Sequence, residues 1–308
     1  MNNRPLVGIV LVNYNGLKFM PECIASLDDQ DYPLIRVVVV DNASTDGSRE
    51  WLATLPPRIE KIFLDENTGI TGGNNAGMKK CLELSCDEVL ILNNDTILES
   101  DTVNCLVRAR APGRLLTPRI YSYDAPGVLN NYFGDFDFLR GISVQRFYGQ
   151  KDSDESSSPC EGTLASTCSL MVPAEAIGRV GFMDDQFFMY FDDVDYVSRA
   201  VQIGYRVKYV PDAMMLHREA CSSGGELVGP LPLYYQTRNR LYFMAKHQKN
   251  RVKLALFFAY FWLTRSVYLL RWTIRRDRRS LHAFWTAIDD YRHRKLGYAP
   301  PSRFMLGS

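Results

Sequence analysis

Three carboxylates follow a run of aromatic residues in the stretch FFMYFDDVDYVSRA, residues 187–200. Asp192, Asp193 and Asp195 fall within four positions, where they could start a helix, bind a metal ion or take a proton. Acids in the first turn of a helix are favoured by about 0.3–1 kcal/mol, which suits Asp195 but does not require three acids. A carboxylate beside apolar side chains and a second acid has a raised pKa, as a general base needs.

A second stretch, LILNNDT, ends an apolar strand in Asn93, Asn94 and Asp95. Mg²⁺ and Mn²⁺ prefer oxygen ligands, often one or two carboxylates with phosphate oxygens completing the shell. Asp95 is therefore a candidate metal ligand, although the same residues could instead form a turn that caps the next helix. His217, at the end of YVPDAMMLH, is either a further ligand or an ordinary side chain.

The elements that must position these residues alternate between strand and helix. Short β-branched runs at 6–13, 35–42, 59–64 and 88–93 are separated by helical patterns, which predicts an open parallel α/β sheet. We predict NTGITGGNNAG to be a glycine-rich loop, followed by a helix over 76–86. Ligands of such sheets bind beyond the carboxyl ends of the strands. Polar clusters follow four strands, at 13–16, 41–48, 67–75 and 93–96.

Composition and charge indicate a folded protein with a distinct tail. The chain has 308 residues, of which 46% are hydrophobic and 23% charged, so extensive disorder is not expected. From Lys249 onward there are 13 Lys and Arg against three acids, whereas the first 248 residues hold 23 against 32. This asymmetry predicts an anionic partner for the tail. Seven cysteines without a CxxC pair favour a reducing, cytoplasmic setting over a disulfide framework.

The basic tail also contains an apolar segment, LALFFAYFWL, at 254–263. Ten residues are too few to span a bilayer but suit a helix that lies in the membrane interface. We therefore predict a domain at 1–230 and a C-terminal helical extension at 231–308, peripheral at the cytoplasmic face of the cell membrane. A homo-oligomer surface or a core helix remains an alternative. Nucleic acid is not an expected partner, because no binding motif for it is present.

Five blocks together resemble the motifs of family 2 glycosyltransferases, in the same order. They are VNYNG, VVVVDNASTDGS, NTGITGGNNAG, LILNNDT and FFMYFDDVDYVSRAVQIGYRVKYVPDAMMLH, within roughly residues 5–245. The branch that they resemble most contains rhamnosyltransferases and galactofuranosyltransferase-like enzymes of surface polysaccharide synthesis. The resemblance implies the GT-A fold, a mostly parallel open sheet flanked by helices. It also implies inverting, metal-dependent transfer from a nucleoside-diphosphate sugar.

The resemblance assigns roles to individual residues. Asp193 matches the catalytic base, and Asp192 would bind acceptor hydroxyls or tune its neighbour. Asp95 matches the last position of the Asp-x-Asp metal motif, whose first position is Asn93 here, and His217 would complete the shell of Mg²⁺ or Mn²⁺. Asp41 would hydrogen-bond the pyrimidine base. The remaining donor contacts would come from Asn13, Asn15, Asn67, Gly69, Asn74 and Asn93, with Arg238 and Arg240 available for a phosphate.

The sequence thus predicts an inverting glycosyltransferase, with dTDP-rhamnose as the first choice of donor and UDP-galactofuranose as the second. The acceptor would be a glycan or a lipid-linked sugar. A sugar nucleotidyltransferase is an alternative, but it would have a Gly-rich, basic loop after the first strand, where this chain has NYNGLKF. A non-enzymatic binding protein of this fold would be expected to lose the acids, which are present. A covalent two-carboxylate mechanism, as in hydrolases, suits the nucleotide-type α/β half less well.

Overall fold

The computed structural model describes residues 4–218 and 229–304. Its first part alternates strands and helices, because apolar β-branched runs are separated by amphipathic segments. The elements are β1 (Val7–Asn13), α1 (Met20–Asp28), β2 (Ile35–Asp41), α2 (Ser48–Thr54), β3 (Ile59–Phe63), α3 (Gly69–Glu83) and β4 (Glu88–Asn93). Strands β3, β2, β1 and β4 are neighbours in this order and run parallel. Their polar carboxyl ends therefore lie along one edge, as predicted.

The second part of the chain completes a mixed sheet. It contains β5 (Thr96–Leu98), α4 (Thr102–Arg108), β6 (Arg114–Ser122), β7 (Phe133–Asp137), β8 (Ile142–Gln145), β9 (Cys160–Gly162), β10 (Leu164–Ala165), β11 (Ser169–Pro173), α5 (Ala174–Val180), α6 (Asp192–Gln202) and β12 (Arg206–His217). The main sheet continues from β4 through β11, β6, β12 and β5, with β11 antiparallel to β4. A small second sheet pairs β10, β7 and β8.

Both faces of the main sheet are covered. Alternate residues of β1 point to opposite faces, so Ile9 packs with α1 and α4, whereas Val10 packs with α3, α5 and α6. This burial on both sides explains why the parallel strands are almost continuously apolar.

The glycine-rich segment is helical, which corrects the predicted loop. Helix α3 begins at Gly69 rather than near residue 76. A Cβ atom at Gly73 or Gly77 would lie 2.6 or 2.2 Å from the side chains of Val12 and Val10. The glycines therefore let this helix approach β1 closely, and this packing offsets their low intrinsic helix propensity.

Three helices follow the sheet: α7 (Pro230–His247), α8 (Arg251–Ile274) and α9 (Arg278–Arg292), with a short 3-10 helix at Pro301–Phe304. Phe243, Phe257 and Phe284 from these helices share one hydrophobic cluster with Phe136 and Phe187 of the preceding part. The helices therefore complete the core around the site.

Helix α8 is longer than the ten-residue apolar segment predicted. Its 24 residues are long and apolar enough to cross a membrane, judged by length and composition alone. Most of the helix surface is exposed, including Leu263, Val267 and Ile274. The opposite side, at Phe257 and Phe261, is buried against the rest of the protein.

Candidate active site

A cavity of about 560 Å³ lies at the carboxyl ends of the parallel strands. It is bounded on one side by the ends of β1 and β4 and on the other by residues 188–194 and helices α7 and α8. Asp95 and Asp193 both line it, as does His217. Acids that are nearly 100 residues apart in the chain therefore face one space, as the sequence predicted.

Asp192 and Asp193 begin helix α6 and form a pair of carboxylates in this cavity. Burial raises the pKa of Asp193 to about 6. Burial and the charge of Asp193 together raise the pKa of Asp192 to about 8. Thr167 donates a hydrogen bond to Asp192, at 3.3 Å, whereas Asp193 is partly exposed and its Oδ1 accepts from the backbone of Val194. Asp193 is thus the more accessible of the two carboxyls and the one with the lower pKa.

The backbone before this pair is strained. Phe188, Tyr190 and Phe191 have φ angles of 62°, 61° and 65°, a left-handed conformation that bulky residues seldom adopt. The amide nitrogen of Asn239 lies 2.8 Å from the carbonyl oxygen of Phe187, 2.8 Å from that of Met189 and 2.9 Å from that of Tyr190. One buried asparagine on α7 therefore holds the loop that presents the acid pair.

Gly69 fixes the other side of the same loop. Its φ is 75°, and a Cβ atom there would lie 2.4 Å from the carbonyl oxygen of Phe188. The backbone nitrogen of Ile70 donates to this oxygen at 2.8 Å. Only glycine allows so close an approach, so the start of α3 and the aromatic loop meet at the cavity wall.

The third acid, Asp195, has a structural role. Asp195 is fully buried and pairs with Arg199 at 2.8 Å, with Lys246 at 2.6 Å and with His247 at 2.8 Å. Burial alone would raise its pKa, but the hydrogen bond from His247 and the charges of Arg199 and Lys246 lower it to about 2. Asp195 therefore stays ionised and ties α6 to α7.

The residues proposed for a metal meet through strand pairing. His217 of β12 lies opposite Thr96 of β5, and this register brings its Nε2 to 3.4 Å from Oδ1 of Asp95. Burial opposes protonation of His217, but the side chains of Cys168 and Asp95 raise its pKa well above the usual value. The pocket therefore favours a positive charge beside Asp95.

The side chains of Asp95, His217 and Asn93 fit a divalent cation whose remaining ligands come from the enzyme's substrate. Nδ1 of His217 is buried and makes no hydrogen bond to a described residue, while Nε2 points towards Asp95. Within residues 4–218 and 229–304, no three His, Cys, Asp or Glu side chains group closely enough to hold a metal. Asp95 and His217, with the amide of Asn93 in the same cavity, would leave positions open for phosphate oxygens, as Mg²⁺ sites commonly do.

Most of the residues predicted to bind the donor line the cavity, namely Asn15, Asn67, Gly69, Asn74 and Asn93. Asn13 and Asp41 do not, because both are fully buried behind its wall. Asn13 donates to Asp41 at 3.2 Å and accepts from Asn94 at 2.8 Å. This differs from the direct nucleotide contacts predicted for Asn13 and Asp41. In this structure they hold the loops after β1, β2 and β4 together.

The structure does not bring Arg238, predicted to contact a phosphate, to the wall of the cavity. Arg238 is fully buried and donates to the side chain of Asn239 at 2.9 Å, to the hydroxyl of Tyr234 at 3.0 Å and to the carbonyl of Gly297 at 2.9 Å. All of these partners lie in the C-terminal helices or the segment after them. The cavity is lined instead by Arg240, two residues further along α7.

Sequence reasoning missed several residues of the site. Asn42 accepts from the backbone of Thr68 and donates to the carbonyl of Gly69, joining β2 to α3. Thr167 contacts Asp192, and Arg265 of α8 lines the cavity. A signal was available only for Asn42, which directly follows Asp41 in a polar strand end. Thr167 and Arg265 come from segments with no pattern that points to a nucleotide site.

Comparison with known proteins shows which families and structures this chain resembles. The model described as glycosyl transferase family 2 matches residues 8–153. The chain is 24% identical over 260 residues to "dTDP-rhamnosyl transferase RfbF" of Shigella flexneri, covering 80% of this chain and 81% of that protein. It is 26% identical over 254 residues to "N-acetylglucosaminyl-diphospho-decaprenol L-rhamnosyltransferase" of Mycobacterium tuberculosis, covering 74% and 81%.

Solved structures agree on the fold. Residues 1–349 of S. aureus TarS, in complex with UDP-GlcNAc, superpose with a TM-score of 0.60 at 16% identity over 92% of this chain and 80% of that one. A longer TarS chain is matched over 43% of its length. The mannosyltransferase PcManGT of Pyrobaculum calidifontis, in complex with GDP-Man and Mn²⁺, superposes with a TM-score of 0.55 at 17% identity over 96% and 89%.

The fold is therefore of the GT-A type, with helices added after the mixed sheet, which confirms the predicted fold class. Residues 8–153 match the family 2 glycosyltransferase model, and rhamnosyltransferases are among the relatives of the chain. The protein is a glycosyltransferase, a hexosyltransferase, and these matches favour that activity over the nucleotidyltransferase and the non-enzymatic protein that the sequence left as alternatives.

Proposed function

We propose that the protein transfers a sugar, with inversion and with the help of a divalent cation, from a nucleoside diphosphate to a lipid-linked acceptor. The proposal rests on the arrangement of one cavity. Asp95 and His217 line one part of its wall, and Asp192 and Asp193 line another part. Such a cavity separates the chemistry of a leaving diphosphate from that of an attacking hydroxyl.

In this mechanism Asp193 takes the proton of the acceptor hydroxyl as that oxygen attacks the anomeric carbon. The new glycosidic bond forms on the face opposite the leaving diphosphate, so the configuration inverts. A carboxylate with a pKa of about 6 is ionised at neutral pH and still basic enough to accept a proton. Asp192, held by Thr167, orients the hydroxyl and keeps the local charge low while it is protonated.

Asp95 and His217 would hold Mg²⁺ or Mn²⁺, with the amide of Asn93 beside them. When bound, such a cation offsets the negative charge that develops on the departing diphosphate. Asn15, Asn67 and Asn74 would position the nucleotide, because their amides line the same cavity and can both donate and accept.

For the donor we propose dTDP-rhamnose, because the name of the Shigella relative specifies a dTDP-rhamnosyl transferase and that of the mycobacterial relative a rhamnosyltransferase. The test is a transfer assay with purified protein, a panel of nucleotide sugars and either Mg²⁺ or Mn²⁺. Transfer from dTDP-rhamnose, abolished by EDTA and restored by the metal, is expected. Efficient transfer from UDP-galactofuranose alone would replace the donor, and full activity in EDTA would remove the metal.

We also propose that the protein binds the cytoplasmic face of the membrane through α8. The outward side of this helix is apolar: Val252 is 69% exposed, Leu263 71% and Ile274 72%. Basic residues lie at both ends of the helix, namely Lys249, Arg251, Lys253, Arg275, Arg276, Arg278 and Arg279. Each is worth about 1 kcal/mol near an anionic leaflet. Because Phe257 and Phe261 face the protein core, we infer a helix in the interface rather than across the bilayer.

Vesicle flotation tests this surface without disturbing the core. Truncation after residue 249 would remove Phe257 and Phe284 from the shared core, so surface variants are preferable. Leu263→Glu with Val267→Glu is expected to abolish binding to anionic vesicles, whereas Thr54→Glu, on the exposed end of α2, is the matched control. Unchanged flotation of the double variant would contradict the membrane surface.

A further inference from the structure

Two arginines in the catalytic cavity have no acidic partner among the described residues. Arg240 of α7 and Arg265 of α8 both line the cavity, and neither makes an ion pair within 4–218 or 229–304. Arg240 is only 6% exposed; among the residues that the structure describes it donates one hydrogen bond, to the carbonyl of Arg140, and its Nε has no hydrogen-bond partner. Within the same described residues, the buried Nε of Arg265 also has no hydrogen-bond partner.

The two guanidinium groups also repel one another. Burial, and then the charge of Arg265, lower the pKa of Arg240 to about 10, and burial lowers that of Arg265. The positive charge of Arg240 is partly offset by aromatic rings, because its guanidinium group lies 5.6 Å from the ring centres of both Phe257 and Phe261. A buried and a partly buried group of like charge, each with a buried Nε that lacks a partner among the described residues, are costly unless an anion binds between them.

The location of the pair indicates which anion. Arg240 and Arg265 come from α7 and α8, and Gly141, next to the carbonyl that accepts from Arg240, lines the same cavity. None of these elements carries Asn15, Asn67 or Asp95, the residues assigned to donor and metal. Arg265 instead belongs to the helix whose opposite side is exposed and apolar. A ligand that reaches this end of the cavity from the lipid surface would meet the two arginines before the acid pair.

We propose that Arg240 and Arg265 form a subsite for the phosphate groups of the acceptor, an isoprenoid diphosphate that carries the sugar to be extended. Guanidinium groups bind phosphate through two parallel N–H donors, which suits the free Nε atoms. The lipid would leave along α8, and the sugar hydroxyl would point towards Asp193. This inference rests on the proposed function, because it names the part of the acceptor that the same cavity recognises.

The test compares two acceptors with the same sugar, one on an isoprenoid diphosphate and one on a neutral alkyl chain. Arg265→Gln is expected to raise the KM for the diphosphate acceptor about tenfold, the loss typical of a charge-assisted hydrogen bond. The KM for the nucleotide sugar and for the neutral acceptor should not change. Arg271→Gln, an exposed arginine on the same helix, is the matched control for loss of charge. Equal effects of Arg265→Gln on both acceptors, or an effect on the donor KM, would overturn the subsite.

Direct binding separates this inference from the proposed function. Calorimetry with farnesyl diphosphate in EDTA measures the subsite without transfer and without a cation for the donor site. Binding that is lost in Arg265→Gln, kept in Arg271→Gln and not displaced by dTDP supports the subsite even if no donor is found. Displacement by dTDP, or equal binding by wild type and Arg265→Gln, would overturn it. Arg240→Lys, which keeps the charge within the core, is the second variant and should weaken binding less than Arg240→Met.

Discussion

Nε2 of His217, at the end of β12, lies 3.4 Å from Oδ1 of Asp95, which belongs to the turn between β4 and β5. The contact depends on the antiparallel pairing of β12 with β5, which sets His217 opposite Thr96. A carboxylate and an imidazole at this distance in a shared cavity are a candidate pair of metal ligands. Asn93, a predicted contact of the nucleotide sugar, lines the same cavity.

Replacement of Asp95 by Asn should remove metal-dependent activity. The loss of the carboxylate would lower transfer on the order of 100-fold, because the leaving diphosphate loses electrostatic stabilisation. The measurement is the rate against Mn²⁺ concentration, with Mn²⁺ binding followed by electron paramagnetic resonance. Asp124→Asn, an exposed acid, serves as control. Wild-type Mn²⁺ affinity in Asp95→Asn would remove Asp95 from the metal site.

Asp193→Asn should abolish transfer while donor binding persists. The variant keeps the shape of the side chain but cannot accept a proton, so kcat should fall by about 10²–10⁴. Calorimetric titration with the nucleotide sugar checks that the donor site is intact. The exposed Asp154, replaced by Asn, provides the comparison. If Asp193→Asn turned over normally, the base would have to be another group.

The pH profile should show two steps that belong to the acid pair. The pair titrates near 6 and 8, so kcat/KM should rise through about pH 6 as the first proton leaves. Asp192→Asn should remove the upper step and retain the lower one. Both pKa values are raised, so the folded protein holds more protons than the unfolded chain, and stability should fall as pH rises from about 4 to 8. An unchanged profile in Asp192→Asn would show that the pair does not control the rate.

Asp195→Asn should destabilise the protein rather than act on the chemical step. Lys246 and His247 on α7 would lose their buried counter-charge, which costs about 3–5 kcal/mol. The pKa of Asp195 is lowered, so its contribution is complete above about pH 4 and is lost as pH falls towards 2. Urea unfolding at pH 7 and pH 3 measures both effects. A smaller difference between variant and wild type at pH 3 is expected, and a larger one would contradict the pairing.

Asn239→Asp should disorder the loop that carries the acid pair. A carboxylate cannot donate to the carbonyl groups of Phe187, Met189 and Tyr190, so the left-handed residues lose the bonds that hold them. We expect kcat to fall more than the donor KM rises, together with a lower melting temperature. Limited proteolysis at residues 187–191 is the readout that separates a positioning role from general instability. Asn250→Asp, at the start of α8, is the control because an acid can cap that helix equally well.

Local sequence patterns predicted a good part of this protein. Strand period, turn chemistry and the order of polar strand ends depend on neighbouring residues, so β1 to β4 and the cluster around Asn93 and Asp95 could be located without coordinates. The aromatic run followed by three acids indicated a carboxylate of raised pKa in the same way. The excess of basic residues after Lys249, together with the apolar segment, pointed to a distinct tail.

Only the tertiary structure decided what each polar residue contacts. Asp41 and Asn13 lie behind the cavity wall, and Arg238 is enclosed by α7 and the segment after α9, because burial depends on packing between segments distant in the chain. For the same reason Asn239 hydrogen-bonds to the loop around Met189, 50 residues earlier in the chain. The glycines of α3 are helical because they let the helix pack closely on β1, where no larger residue fits, and this packing offsets their low helix propensity. That Arg240 and Arg265 line the same cavity depends on where α7 and α8 pack, which no local pattern encodes.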